Sequence, residues 1–454
     1  MVKKVLLVVV LVALALGFGV VSAQDDLSGI DPTGQTITYW HEWGGAQLEA
    51  INVLIADFNA TNEYGITVET LELGDSAAMR DAMSAGITSG DLPNLVGGFA
   101  TDAQGYYLDG VALAIDPYLD DPTWGFTEEE RANLNFDVLD VNRIPGDTFN
   151  DQMLAWSIGY SGVIMSVNLG MLSELGFEAA PATLDEFRAV ACAAAESTGP
   201  AGEDVQGFPL RTNPQDMEAF ILSQGGRIWD PETQQFDFTN EATINVLTFF
   251  QQLVADGCAY LPETNFANTA DFAASLNPMA VGSTVGVPFI QRDAQAATDA
   301  GGTGVTEWEN TTPPWAEGSR TLVLNFRSVI MISGTPEQNL ATWLFLKYLA
   351  SEAAQITWTE GTLYQPYNNV ALENLSQEFL DANPQFEDVR QLLLDDSIAK
   401  FGDPQLLGIF QATGELGNLI AALATDPSLD IATAAAEAQD RANEVLAEAQ
   451  DALN

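Results

Sequence analysis

Residues 36–73 constrain the fold more tightly than any other stretch. Thr36 to Trp40 read as a strand, and His41 to Ala46 as the turn that ends it. In LEAINVLIADFNATN, Leu48, Ile51, Leu54, Ile55 and Phe58 recur at three- and four-residue spacing, the stripe of an amphipathic helix. GITVETLEL then supplies a second strand. Strand, helix and strand in that order make one βαβ unit and point to a parallel sheet. SAAMRDAMSAGITSG continues as a helix into DLPNLVGGF, a short buried strand ending at glycines. The loops at 41–46 and 97–102 therefore sit at strand C-termini, where open α/β sheets bind ligands.

The rest of the chain keeps the same character. SGVIMSVNLGMLSELGF runs from a β-branched strand into a helix, and Thr183 with Glu186 forms a capping box in PATLDEFRAVACAAAEST. DMEAFILSQGG and NEATINVLTFFQQLVADG fit helices, while NPMAVGSTVGVPF and SRTLVLNFRSVIMIS fit strands. From PEQNLATWLFLKYL to the Ala-rich end the pattern is mainly helical. A chain of 454 residues exceeds one ordinary core, so two lobes are expected. With no internal repeat and no low-complexity linker, lobes joined by several crossings fit better than beads on a string.

MVKKVLLVVVLVALALGFGVVSAQ has a positive start, an apolar run and a small-residue site at Ala23, the pattern of a cleaved signal peptide. The mature protein is expected to be exported, periplasmic or extracellular, and soluble. Removing residues 1–23 takes away Lys3 and Lys4 and no acids, so the formal charge moves from −49 to −51. Such a molecule repels nucleic acid and anionic membranes, which excludes both as partners. The acids are dispersed and 47% of the residues are hydrophobic, so this is a folded acidic protein and not a disordered tail. The exported setting also makes a Cys192–Cys258 disulfide the default.

A single histidine, His41, excludes multi-histidine zinc sites, and the two cysteines lack CxxC spacing. There is no G-x-S-x-G elbow and no phosphate loop. No metal, cofactor or catalytic residue is expected, and the chain reads as a non-enzyme. Glycoside hydrolysis, which needs only two carboxylates, is the enzymatic alternative. Most of the nine tryptophans stand beside Gly, Pro, Asp or Glu rather than in apolar runs. Their rings suit the CH face of a sugar, with neighbouring carboxylates and amides to accept hydroxyl hydrogen bonds. Trp40 and Trp343 read as core.

These segments together resemble the extracellular solute-binding proteins of ABC transporters, in particular the carbohydrate-binding, maltose-binding-like group. ITYWHEWGGAQLEAINVLIADFNATNEYGITVE is similar to the family's first strand, ligand loop, long helix and second strand. GDLPNLVGGFATDAQGYYLDGVALAIDPYLDD is similar to its third-strand segment, and GYSGVIMSVNLGMLSELGFEAAPATLDEF to its crossing strand. WLFLKYLASEAAQ and EGTLYQPYNNV match its late helix and turn. Val167-Asn168-Leu169, Ser157 and Asn325-Phe326-Arg327 depart from the family pattern, the last two bordering its cleft.

The resemblance implies a two-lobe periplasmic-binding-protein fold of α/β class, type II-like, with a ligand cleft between lobes joined by hinge crossings. The expected division is 24–35 linker, 36–155 with 282–335 as lobe 1, and 156–281 with 336–454 as lobe 2. It implies ligand-binding roles for His41, Glu42, Trp43, Gly97, Phe99, Trp156, Trp229, Phe289, Trp315, Arg327, Trp358 and Tyr364. Trp229 and Trp358 are the expected stacking platforms, and Glu42 and Arg327 the hydroxyl partners. It further implies a monomeric receptor that hands a sugar or oligosaccharide to an ABC permease. Peptides and polyamines are the alternative ligands. With only Arg327 basic among the candidates, a neutral or cationic ligand fits better than an anionic one.

The dispersed acidity predicts that self-repulsion limits stability at low ionic strength. Melting temperature is expected to rise between about 10 mM and about 1 M sodium chloride, as read by calorimetry. An unchanged value would show that self-repulsion does not limit stability, and would remove the reading of the acidity as suited to a saline external milieu.

Overall fold

The structure is a computed structural model describing residues 27–146, 148–198, 205–264 and 266–451, so the expected signal peptide lies outside the described residues. Strand β1 (Thr36–His41), helix α1 (Gly45–Thr61) and strand β2 (Thr67–Glu72) form the expected parallel unit, with Thr36 opposite Thr67 and His41 opposite Glu72. Ile51, Leu54, Ile55 and Phe58 of α1 are buried, because the three- and four-residue spacing puts them on one face. Helix α2 (Ser76–Ser89) is capped by Asp75, whose side chain accepts from the amides of Ala77 and Ala78. It stops at Gly90, whose φ of 82° is a left-handed conformation that glycine adopts without strain. Strand β3 (Leu95–Gly98) then pairs in parallel with the other side of β1, and helix α3 (Ala100–Leu108) follows it.

Two long strands tie the molecule together. Strand β4 (Trp156–Asn168) is buried along all 13 residues, which at about 3.3 Å each reach roughly 40 Å. Beyond it come helices α4 (Leu184–Ala195), α5 (Pro214–Ser223) and α6 (Glu241–Ala255), then strands β5 (Met279–Ser283) and β6 (Trp308–Thr311). Strand β7 (Thr321–Met331) runs antiparallel to β4 and, at its far end, antiparallel to β3. Helices α7 (Pro336–Leu349) and α8 (Glu352–Thr362), strand β8 (Ala399–Gly402), and helices α9 (Ile409–Thr425) and α10 (Ile431–Asp451) complete the elements used below. The main sheet has the order β6-β4-β7-β3-β1-β2, with β8 beside β7 and β5 beside β4.

Packing divides the chain into two bodies. In the first, β1, α1, β3 and the far ends of β4 and β7 share cores with α7 and α8, including Trp343 at its centre. In the second, α4, α5, α6, α9 and α10 surround the other end of β4. A smaller cluster joins residues 272–308 to 363–386. The expected segments therefore need correction. Residues 336–362 pack with the first body, and 287–308 pack away from it. The cause is chain direction: β7 ends beside β3, so the helices that follow start there.

Cys192 on α4 and Cys258 just beyond α6 form a disulfide across 66 residues of sequence. Among the described residues no helix is long and apolar enough to cross a membrane. Closing a loop of that length constrains the unfolded chain, a contribution of about 4 kcal/mol. The double variant Cys192→Ser, Cys258→Ser is expected to lose stability of that order in urea unfolding; a loss below about 1 kcal/mol would show that the bridge contributes little.

Candidate ligand cleft

A cavity of about 310 Å³ opens where the two bodies meet. Phe99, just past β3, comes from the first body. Ser161 of β4 and Leu324, Asn325, Phe326 and Arg327 of β7 form the floor. Gln215 at the start of α5, Ser283 at the end of β5, Val285, Asp403, Gln405 and Phe410 close the other side, and Tyr364 completes the lining. The register of β4 against β7 shifts between Arg327 and Ser328, where Ile158 of β4 is left unpaired. Along β7 successive side chains alternate faces, so Arg327 faces the cavity, while Ser328 turns to a buried network in which its Oγ donates to Asn142 Oδ1 at 2.7 Å.

Arg327 is held from several directions. Its Nη1 lies 3.2 Å from Glu42 Oε1 and donates to Ser76 Oγ at 3.1 Å, and its guanidinium stands 4.6 Å over the Phe99 ring. The Glu42 contact is an ion pair without hydrogen-bond geometry, so both carboxylate oxygens stay open as acceptors. Gly97 makes room for this carboxylate, since a Cβ there would collide with Glu42 Oε2. Burial pushes the Tyr364 hydroxyl pKa up, and the adjacent Arg327 opposes that shift. Across the cavity the bodies also touch. Gln104 of α3 donates to the Gln405 carbonyl at 2.8 Å and accepts from the Leu407 amide at 3.0 Å, while Phe99 and Phe410 meet edge to face at 5.2 Å.

Of the twelve expected ligand residues, Phe99, Arg327 and Tyr364 line the cavity, and Glu42 with Gly97 sits directly behind Arg327. The others lie elsewhere. His41 is fully buried beside Tyr39, and burial lowers its pKa, leaving a neutral imidazole. Trp43 is core: its Nε1 donates to Tyr39 Oη at 2.8 Å and its ring meets Trp358 at 5.2 Å. Trp358 is likewise buried, so near β4 that a Cβ on Gly159 would come within 2.8 Å of its Nε1. Trp156 is fully buried and donates to Tyr367 Oη. Trp229 packs on Phe236 at a separate surface depression with Arg227 and Asp237. Trp315 lies under Arg320 at 4.1 Å, and Phe289 stands exposed on the helix Val287–Asp299; neither lines the cavity.

The sequence profile of the bacterial extracellular solute-binding proteins matches residues 53–388. The chain belongs to that family. No curated protein matches this solute-binding protein in sequence. Its fold is similar to that of the cyclic alpha-maltosyl-1,6-maltose binding protein from Arthrobacter globiformis, with TM-score 0.72 at 14% identity over 91% of this chain and 99% of that one. It is equally similar to the sugar-binding protein MalE from Xanthomonas citri, with TM-score 0.73, 17% identity, and 92% and 98% covered. UgpB from Mycobacterium tuberculosis, in complex with glycerophosphocholine, gives 0.72, 16%, and 91% and 98%. These likenesses establish the two-lobe fold of periplasmic solute-binding proteins.

Sequence reasoning on this solute-binding protein passed over Ser161, Gln215, Ser283, Val285, Asp403, Gln405 and Phe410. Asn325 and Phe326 carried a signal, as departures from the family pattern beside the cleft. Behind Asp403 lies Glu218 of α5, 1% exposed and in hydrogen-bonding contact with it. Burial first, and Asp403 second, hold the Glu218 pKa well above the carboxylate range. Below the unfolded value of about 4.3 both states are protonated and nothing is lost. Above it the unfolded chain ionises while the folded one keeps its proton, so stability falls as pH rises. Glu218→Gln, which keeps a neutral donor, is expected to be more stable than the parent at neutral pH and to lose that advantage near about pH 4. Urea unfolding at both pH values tests this; an equal difference at the two would refute the protonated carboxyl.

Proposed function

We propose that this solute-binding protein is the receptor of an ABC importer, taking a sugar or oligosaccharide into the cleft and passing it to a membrane permease without chemical change. The observation that carries the reading is the cavity between the two bodies, walled mainly by aromatic rings and neutral hydrogen-bonding side chains, with Arg327 and Asp403 as its charged members. Phe99, Phe326, Tyr364 and Phe410 offer ring faces and edges to sugar CH groups. Ser161, Gln215, Ser283, Asn325 and Gln405 donate to and accept from hydroxyls, and none of them fixes a charge on the ligand. The volume is at the lower end for small-molecule sites, which favours a short saccharide over a long chain. The Arthrobacter and Xanthomonas relatives, named for the sugars or sugar class they bind, support the same class of ligand.

Binding and closure are linked because the lining residues come from both bodies. A ligand touching Phe99 on one side and Gln215 on the other meets all of them only when the bodies approach, and that difference shifts the population to the closed form. Export through the N-terminal segment, action as a monomer and delivery to a permease complete the proposal. An anionic solute is disfavoured, because the one arginine on the cavity wall is already paired with Glu42.

Isothermal calorimetry against mono-, di- and trisaccharides tests this directly. Saturable binding with unchanged sugar recovered by chromatography is expected, and Tyr364→Ala is expected to weaken it by about tenfold, roughly 1.4 kcal/mol. Turnover would make the protein a glycosidase. Stabilisation by a peptide or polyamine but by no carbohydrate would remove the sugar assignment.

A further inference from the structure

We propose that the preferred solute is an amino sugar carrying a protonated amine, and that Asp403 is the residue that selects it. The inference rests on the sugar reading above and narrows it.

It follows from the charges around the cavity. Arg327 is the only basic side chain on the wall, and its charge is already met by Glu42 at 3.2 Å and by the Phe99 ring at 4.6 Å. Among the described residues Asp403 is the one acidic side chain on the wall. Its Oδ2 accepts from the neutral amide of Gln215 at 2.8 Å, and among the described residues it makes no ion pair. Lys400, three residues earlier, is turned to the Asp395 carbonyl at 2.6 Å. The side chain in contact with Asp403 from behind is another carboxyl, Glu218, whose Oε1 has no hydrogen-bond partner. The wall thus presents one carboxylate with no cation to balance it.

When the bodies close on a ligand, that carboxylate leaves water. Hydroxyls of a neutral sugar compensate it partly; an ammonium group compensates both its charge and its hydrogen bonding. Phe326, Tyr364 and Phe410 of the same cavity add to this preference, since aromatic faces attract cations and hold a sugar's CH face equally well. A chain with formal charge −49 further concentrates cations at the cleft mouth before they bind.

The test compares three disaccharides that differ only at C2: β-1,4-linked glucosamine disaccharide, its N,N′-diacetyl form and cellobiose. Calorimetry is run at about pH 6, below the ordinary range of an amine. The free amine is expected to bind at least about tenfold more tightly than the other two, a difference of about 1.4 kcal/mol. Asp403→Asn is expected to remove most of that preference. Raising salt on the unaltered protein is expected to weaken the amine and leave cellobiose unchanged, a readout that does not depend on the variant folding. If cellobiose or the acetylated form binds as tightly as the amine, or if Asp403→Asn keeps the preference, amine selection is wrong while the sugar receptor stands. If none of the three binds and no other carbohydrate does, the sugar reading itself fails and takes this inference with it.

Discussion

The antiparallel pairing of β4 with β7 is the interaction on which the rest of the structure depends. Both strands are long enough to leave one core and enter the other. Trp156 and Ile158 belong to the first body's cluster, and Met165 and Val167 to the second's. Between the two cores, Ser161 of β4 and Leu324 to Arg327 of β7 line the cavity, and that gap is the cleft. The alternation of side chains along β7 at Arg327 and Ser328 meets two opposed demands at this crossing. One residue has to present polarity to a ligand, while its neighbour has to stay buried. Asn142, Ser157 and Ser328 satisfy one another beneath the floor, with Asn142 donating to Ser157 Oγ at 2.8 Å, so the buried side carries no open hydroxyl.

Local pattern was enough to read the βαβ start, the Thr183–Glu186 capping box and the long apolar strands, because each is a property of neighbours in sequence. The division into bodies was not, since it follows from which way β7 runs. Once β7 is known to finish beside β3, α7 has no route to the second body. His41 shows a missed signal of the simpler kind. Ile37, Tyr39 and His41 are alternate residues of β1 and share its buried face, so two-residue periodicity places the imidazole inside. Trp43, Trp156 and Trp358 misled for another reason. Polar neighbours marked them as surface platforms, but each lies in the first body's core, where Tyr39 and Tyr367 satisfy the indoles of Trp43 and Trp156. Asp403, Gln405 and Phe410 stand in no motif at all. Pairing of β8 with β7 brings Asp403 and Gln405 to the floor, and Phe410 follows on the first turn of α9.

The paired arginine gives the cleft its chemical bias. An unpaired guanidinium facing a small aromatic cavity would draw carboxylates and phosphates. Glu42 cancels that attraction without occupying the site, and Gly97 is the local feature that lets it do so. The charge of Arg327 is therefore met by the protein itself, from the loop that follows β1. The acidic surface acts in the same direction at longer range, though salt screens it beyond about a Debye length.

Closure in this protein does not depend on the ligand alone. Gln104 is 1% exposed, and both ends of its amide bind the main chain of the opposite body, while Phe99 meets Phe410 beside it. Two hydrogen bonds and one ring pair are together worth only a few kcal/mol, about 1 each. Contacts of that size are small beside what a ligand touching both bodies can add, so the ligand's differential contacts decide the population, and its loss lets the bodies part again.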